Sequence, residues 1–142
     1  MTTLNTTTSV SDRQAAALRA GLVLLSRVGD TAAFYLTFDA PTYDTAPTLN
    51  ALIADRTPRD KRSAAATDTA RLTDLRFVAI ALDTPLNDVR DYDDGVTVSI
   101  AVRLVIDGVD VRVWTPLTDS VTISFARALV LVPTVVPTGA TA

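Results

Sequence analysis

The side chains that could do chemistry in this chain are defined first by the types that are missing. The 142-residue sequence has no Cys and no His, and its sixteen acidic residues are all Asp. Without Cys there is no disulfide framework, no thiolate nucleophile and no zinc–thiolate site. Without His the chain lacks the commonest general base and the commonest transition-metal ligand. Twelve of the thirteen basic residues are Arg, and Lys61 is the single lysine. A Ser nucleophile would have no imidazole to activate it, and Lys61 sits in a polar segment that offers no desolvation. No two aspartates fall on strand ends around a recognisable cleft, and neither G-x-x-x-x-G-K nor G-x-G-x-x-G occurs. The expectation is a protein that is not an enzyme and carries no cofactor.

What remains is recognition by charge and aromatic surface. Asp107-Gly108 is a preferred type I′ turn pair, flanked by the alternating runs 96–106 and 109–113. A two-residue turn there sets Ile106 opposite Val109, Leu104 opposite Val111 and Val102 opposite Val113, an aliphatic face. The other face then carries Val105 opposite Asp110, Arg103 opposite Arg112 and Ala101 opposite Trp114. Two arginines opposed across a ladder repel. Asp110, an anion or a carboxylate from a partner could offset that repulsion, and the only Trp beside them makes a surface for an interface or for base stacking. The competing arrangement packs Trp114 under a helix and leaves both arginines in water. A second basic group, Arg56, Arg59, Lys61 and Arg62, lies in a polar segment, where Asp55 and Asp60 lower its charge to about +2. The acidic run 88–95 lacks the ligand spacing and the closing Glu of a calcium loop, so it reads as a solvated turn.

These residues must be held by a fold whose composition is that of an ordinary globular protein, 48% hydrophobic and 20% charged. Asp in place of Glu, and Arg in place of Lys, favours turns and strands over exposed helix. Ser11-x-x-Gln14 reads as a capping box, and Ala15, Leu18, Leu22 and Leu25 recur at helical spacing as its apolar stripe. Asp12, Arg19 and Ser26 fall on another face, so a helix is expected over 12–28, with Gly29 as its stop. Gly21 weakens that helix, and a hairpin strand over 22–28 is the competing reading. Residues 33–38 read as a strand, Pro47 as the start of a short helix to 55, and 63–70 as loop or weak helix. Residues 75–82 form a continuous apolar run expected to be a central strand, and 121–125 alternate as a last strand.

The expected fold is therefore α+β: an antiparallel sheet of about five or six strands ending in a meander, with an N-terminal amphipathic helix on one face. A small β-barrel or sandwich is the alternative. A globular domain over 11–132 is flanked by a Thr-rich arm, 1–10, and a Pro-bounded arm, 133–142. No apolar run approaches the roughly 18–20 residues of a membrane span, and 1–10 lacks signal-peptide character. A virion or cytoplasmic setting is expected, with partners that are copies of the chain or other protein subunits. The net charge of −3 argues against general nucleic-acid binding. A structural or assembly subunit of a phage-like particle is the first functional expectation, and a small single-strand nucleic-acid-binding β-domain the second.

Overall fold

A computed structural model describes residues 9–39, 46–55 and 63–131. Along the chain run α1 (Val10–Val28), a short 3-10 turn (Gly29–Thr31), β1 (Phe34–Asp39), β2 (Thr48–Ile53) and α2 (Ala64–Ala81). They are followed by β3 (Asp88–Asp91), β4 (Val98–Ile106), β5 (Val109–Leu117) and α3 (Ser120–Leu131). The five strands form one open sheet in the order β1-β2-β5-β4-β3.

The expected hairpin is β4–β5, with the register derived above: Ile106 faces Val109, Arg103 faces Arg112 and Ala101 faces Trp114. Asp107 and Gly108 both take positive φ, 49° and 80°, as a type I′ turn requires. The sheet is mixed, however, because β2 and β5 pair in parallel while all other neighbours are antiparallel. The cause is topological. After β2 the chain passes through α2 to the far edge of the sheet, and β3, β4 and β5 then return inward. The third strand of that meander arrives beside β2 running in the same direction. Sequential strands joined only by short turns would have given the purely antiparallel sheet expected. The sheet is open, not a closed barrel, with β1 and β3 at its edges.

Three segments differ from expectation. Residues 75–82 belong to α2 and its cap: Leu72, Leu75, Val78 and Leu82 are buried at three- and four-residue spacing, while Phe77 and Ile80 are exposed. A continuous apolar run does not by itself separate a buried strand from a helix. Ser63 caps that helix by accepting from the Ala66 N–H, a start signal that the Ala/Thr-rich sequence around it obscured. The short helix expected from Pro47 is strand β2, whose burial alternates with period two through Leu49, Ala51 and Ile53. The strand expected over 121–125 is α3, held at its start by Asp119, which accepts from the Thr122 N–H and hydroxyl. Finally, helices occur throughout the chain, not only at its N-terminus.

Helix α1 is continuous through Gly21, ends at Gly29 as expected, and is capped by Ser9, not Ser11: the Ser9 hydroxyl accepts from the Asp12 N–H. Its inward face is Ala17, Ala20, Leu24 and Val28, so Leu18, Leu22 and Leu25, expected to be core, point outward. Small residues line the inner face because α1 lies close on the sheet; Gly21 sits against Leu36, Phe38 and Leu49. The core joins α1, α2 and Ala126 of α3 to Leu49, Ala51, Ile53, Val102, Val111 and Val113 of the sheet. Among the described residues, all three helices pack on this one face. Two buried polar groups fasten the end of the sheet where β2 and β5 finish. Arg71 of α2 grips Asp55 through Nε and Nη2, both at 2.8 Å, and donates to the Pro116 carbonyl. Asp68 accepts from the Thr118 and Asp119 N–H groups.

Candidate functional site

The opposite face of the sheet carries no helix among the described residues. Its side chains are the alternate positions of each strand, so one cross-strand row reads Tyr35, Leu52, Trp114, Ala101 and Asp88. The neighbouring row reads Thr37, Asn50, Arg112 and Arg103. Arg103, Arg112 and Trp114 thus share this face, and Trp114 is half-buried on it instead of under a helix. Arg56, Arg59, Lys61 and Arg62 lie outside the described residues.

The opposed arginines do not face each other with bare charge. Arg103 Nη2 donates to Asp110 Oδ2 at 2.8 Å. Arg112 turns the other way: its Nε donates to Asp88 Oδ2 and its Nη2 to Ser99 Oγ, each at 2.7 Å. The Arg112 guanidinium also lies 5.4 Å from the Trp114 ring centroid, in cation–π range. These contacts leave Arg112 only 8% exposed. Arg90 approaches the same Asp88 carboxylate at 3.2 Å. Three arginines therefore meet two aspartates, and the Arg-to-Arg repulsion across the ladder is relieved by splitting the pair between two carboxylates.

The carboxylate that settles Arg112 was missed because Asp88 stood in the acidic segment read as a solvated turn. That segment opens with β3, whose period of two sends Asp88 to the helix-free face and Asp91 to the other, where it pairs with Arg127 of α3. A signal was present: Asp88-Val89-Arg90 alternates polar and apolar. Asp94 has a third task. It accepts from the Thr97 hydroxyl and from the Thr97 and Val96 N–H groups, and these bonds, the hydroxyl first, hold its carboxyl below the usual range. The acidic side chains diverge, and no group of three metal-ligating residues gathers among the described residues.

A cleft of about 420 Å³ opens between the β3–β4 connection and the start of α3, lined in part by Tyr92, Thr97, Ser120, Ile123 and Arg127. Its lining also includes the Asp91 carboxylate, which is paired with Arg127. No helix among the described residues is long and apolar enough to cross a membrane.

The class that fold and site define is an α+β protein: a mixed five-stranded sheet, helical on one face, with an aromatic, charge-paired surface on the other. Compared with models of protein families, with curated proteins and with solved structures, the chain matches none.

Proposed function

We propose that the protein is a non-catalytic structural subunit that assembles with further copies of itself through the helix-free face of its sheet, in the setting of a phage-like virion or tail. One observation carries this reading: the two arginines opposed across the hairpin are each paired with an aspartate of the same face, around the apolar row Tyr35, Leu52 and Trp114. Arg112 pairs with Asp88 and Arg103 with Asp110, and Tyr35 is 66% exposed. Aromatic centres ringed by paired polar groups suit protein partners. Phosphate binding needs cations free to replace counterions, and the buried Arg112 is committed to a carboxylate. The reading of a single-strand nucleic-acid binder is therefore the weaker of the two.

Light scattering over a concentration series tests the proposal, with Trp114 fluorescence followed in the same samples. Mass is expected to rise with concentration as Trp114 emission shifts to the blue, and Leu52→Arg is expected to abolish both changes. Adding a thymidine oligonucleotide at low salt is expected to leave the emission unchanged. A salt-sensitive quench by the oligonucleotide, or assembly that leaves Trp114 emission untouched, overturns it.

A further inference from the structure

The two edges of the sheet are treated differently. At one edge, β3 has only four residues, three of them charged. Beside it the Asn87 side chain blocks the free backbone of β4, accepting from the Arg103 N–H at 2.7 Å and donating to its carbonyl at 2.8 Å. Short charged strands and blocked backbone groups are how proteins prevent edge pairing. At the other edge, β1 is six residues long, Phe-Tyr-Leu-Thr-Phe-Asp, with no Pro or Lys and one charge at its end.

The register shows which backbone groups β1 leaves free. The Ala54 N–H donates to the Ala33 carbonyl, so Ala33 and Ala54 form a hydrogen-bonded pair. By alternation Tyr35, Thr37 and Asp39 also bond to β2. Phe34, Leu36 and Phe38 therefore direct their N–H and C=O groups to the open edge.

A second exposed feature lies on the side of the same edge. Leu18, Leu22 and Leu25 of α1 are 54%, 68% and 42% exposed. At about 100° per residue they fall roughly 40–100° beyond Gly21, on the side away from the buried face. A Cβ placed at Gly21 would lie within 4.0 Å of Leu36 and Phe38 of β1, so this turn of α1 lies over that strand. The opposite flank of α1 is fixed by Arg27, whose Nη2 bonds the Leu82 carbonyl at the end of α2. The leucine stripe thus lies on the β1 side of α1, flanking the turn at Gly21 that approaches Leu36 and Phe38.

We infer that β1 and the α1 stripe together form a two-fold interface with a second copy of this chain, joining two sheets into one of ten strands. With the axis at Leu36, Phe34 opposes Phe38 of the second copy, Leu36 opposes its own mate and Tyr35 opposes Thr37. All three outward residues then exchange bonds, up to about six in total. Asp39 falls opposite Ala33, so no like charges meet. The axis stands perpendicular to the sheet, which keeps both helical layers on one side. Helix α1 packs across β1, β2 and β5, and strands about 4.8 Å apart then put the two α1 axes roughly 13–14 Å apart across the seam. That is wider than the roughly 8–10 Å of close helix packing, a gap that facing leucine side chains are long enough to bridge. Leu22 then meets its mate near the axis, and Leu18 meets Leu25. One operation buries both the free edge and the stripe, and it leaves the helix-free face open.

The test uses the full chain below the concentration at which further assembly begins. Wild type is expected at twice the 15.1 kDa of the chain by light scattering. Phe38→Pro removes an outward N–H and no bond to β2, and Leu18→Glu/Leu22→Glu charges the stripe without touching the strand. Each is expected to raise the dimer Kd about 100-fold or more, while Leu52→Arg on the helix-free face leaves it unchanged. The Phe34, Leu36 and Phe38 amides are expected to exchange slowly in the dimer and fast on dilution. A wild-type monomer overturns the inference, including one whose three amides are protected, since that would give the edge to a segment of the same chain. A dimer indifferent to both variants overturns it equally.

Discussion

Asp88→Ala tests whether the helix-free face is held by a buried ion pair. The Asp88 carboxylate accepts from Arg112 Nε at 2.7 Å, and the two side chains are 17% and 10% exposed. Two unit charges about 4 Å apart attract by about 4 kcal/mol at an effective dielectric near 20. Truncating one member of a buried pair leaves the other uncompensated and costs about 3–5 kcal/mol. Here the low end applies, because Ser99 still accepts from Arg112 Nη2 and water can reach the vacated position. The contact of Asp88 with Arg90 adds little, since the Arg90 side chain is 54% exposed. The expected loss is about 3 kcal/mol, a large part of a net stability of about 5–15 kcal/mol. With a urea m-value near 2 kcal/mol/M, the midpoint falls by about 1.5 M. Trp114 fluorescence reads the transition locally and far-ultraviolet circular dichroism reads it globally, at one fixed protein concentration. Arg112→Met in the Asp88→Ala background is expected to recover much of the loss, giving a coupling energy of about 2 kcal/mol in the double-mutant cycle. A loss below about 0.5 kcal/mol with no coupling would refute the argument, because Arg112 would then be solvated despite its placement.

Gly21→Ala is expected to raise stability by about 0.5–1 kcal/mol in thermal melts, since Gly is costly within a helix and an added Cβ meets Leu49 Cδ2 at an ordinary 3.7 Å. Arg71→Lys is expected to cost about 2 kcal/mol by urea unfolding, because an ammonium cannot reproduce the paired bonds to Asp55. The Asp55 hydrogen bond raises the Arg71 pKa, so its stabilisation is full below the unfolded value and fades only in strong alkali. The cost should accordingly be constant from about pH 5 to 9. Asp94 works in the opposite sense: its folded pKa is depressed, so its contribution is present above the unfolded value near 3.9 and is lost as pH falls through the folded one. Asp94→Asn should therefore flatten the acid limb of the stability profile below about pH 4, read as urea midpoints from pH 2 to 7.

How much of this was legible in the sequence follows from where the signal is local. The β4–β5 hairpin needs only alternation and a turn dipeptide, so its register could be counted to the residue, and with it the placement of Arg103, Arg112 and Trp114 on one face. The partner that neutralises Arg112 comes from β3, and no local rule brings Asp88 to Ser99 and Arg112. The parallel β2–β5 pair was equally hidden, because it depends on α2 carrying the chain across the sheet. Helix α2 was obscured by composition: Leu75 to Leu82 is apolar enough to fill a central strand, and only the exposed Phe77 and Ile80 show its helical period.

The leucine stripe of α1 is the most informative departure. Leu18, Leu22 and Leu25 have the spacing of a core-facing stripe, yet the monomer places Ala17, Ala20, Gly21 and Leu24 inward. Close approach explains the choice, since small residues let α1 sit down on Leu36 and Leu49 where leucines would hold it off. That account leaves the outward leucines without a role in one copy of the chain. Among the described residues it also leaves β1 without a neighbour on its outer side, while the other edge is shortened, charged and blocked by Asn87. Single exposed apolar residues are ordinary on protein surfaces. A periodic stripe on the side of the only unguarded strand edge among the described residues is a different case, because the two features need the same thing covered. A second copy of the chain, related by a two-fold axis through Leu36, covers both. On that reading the spacing of the leucines did report burial, in a core that one chain does not complete.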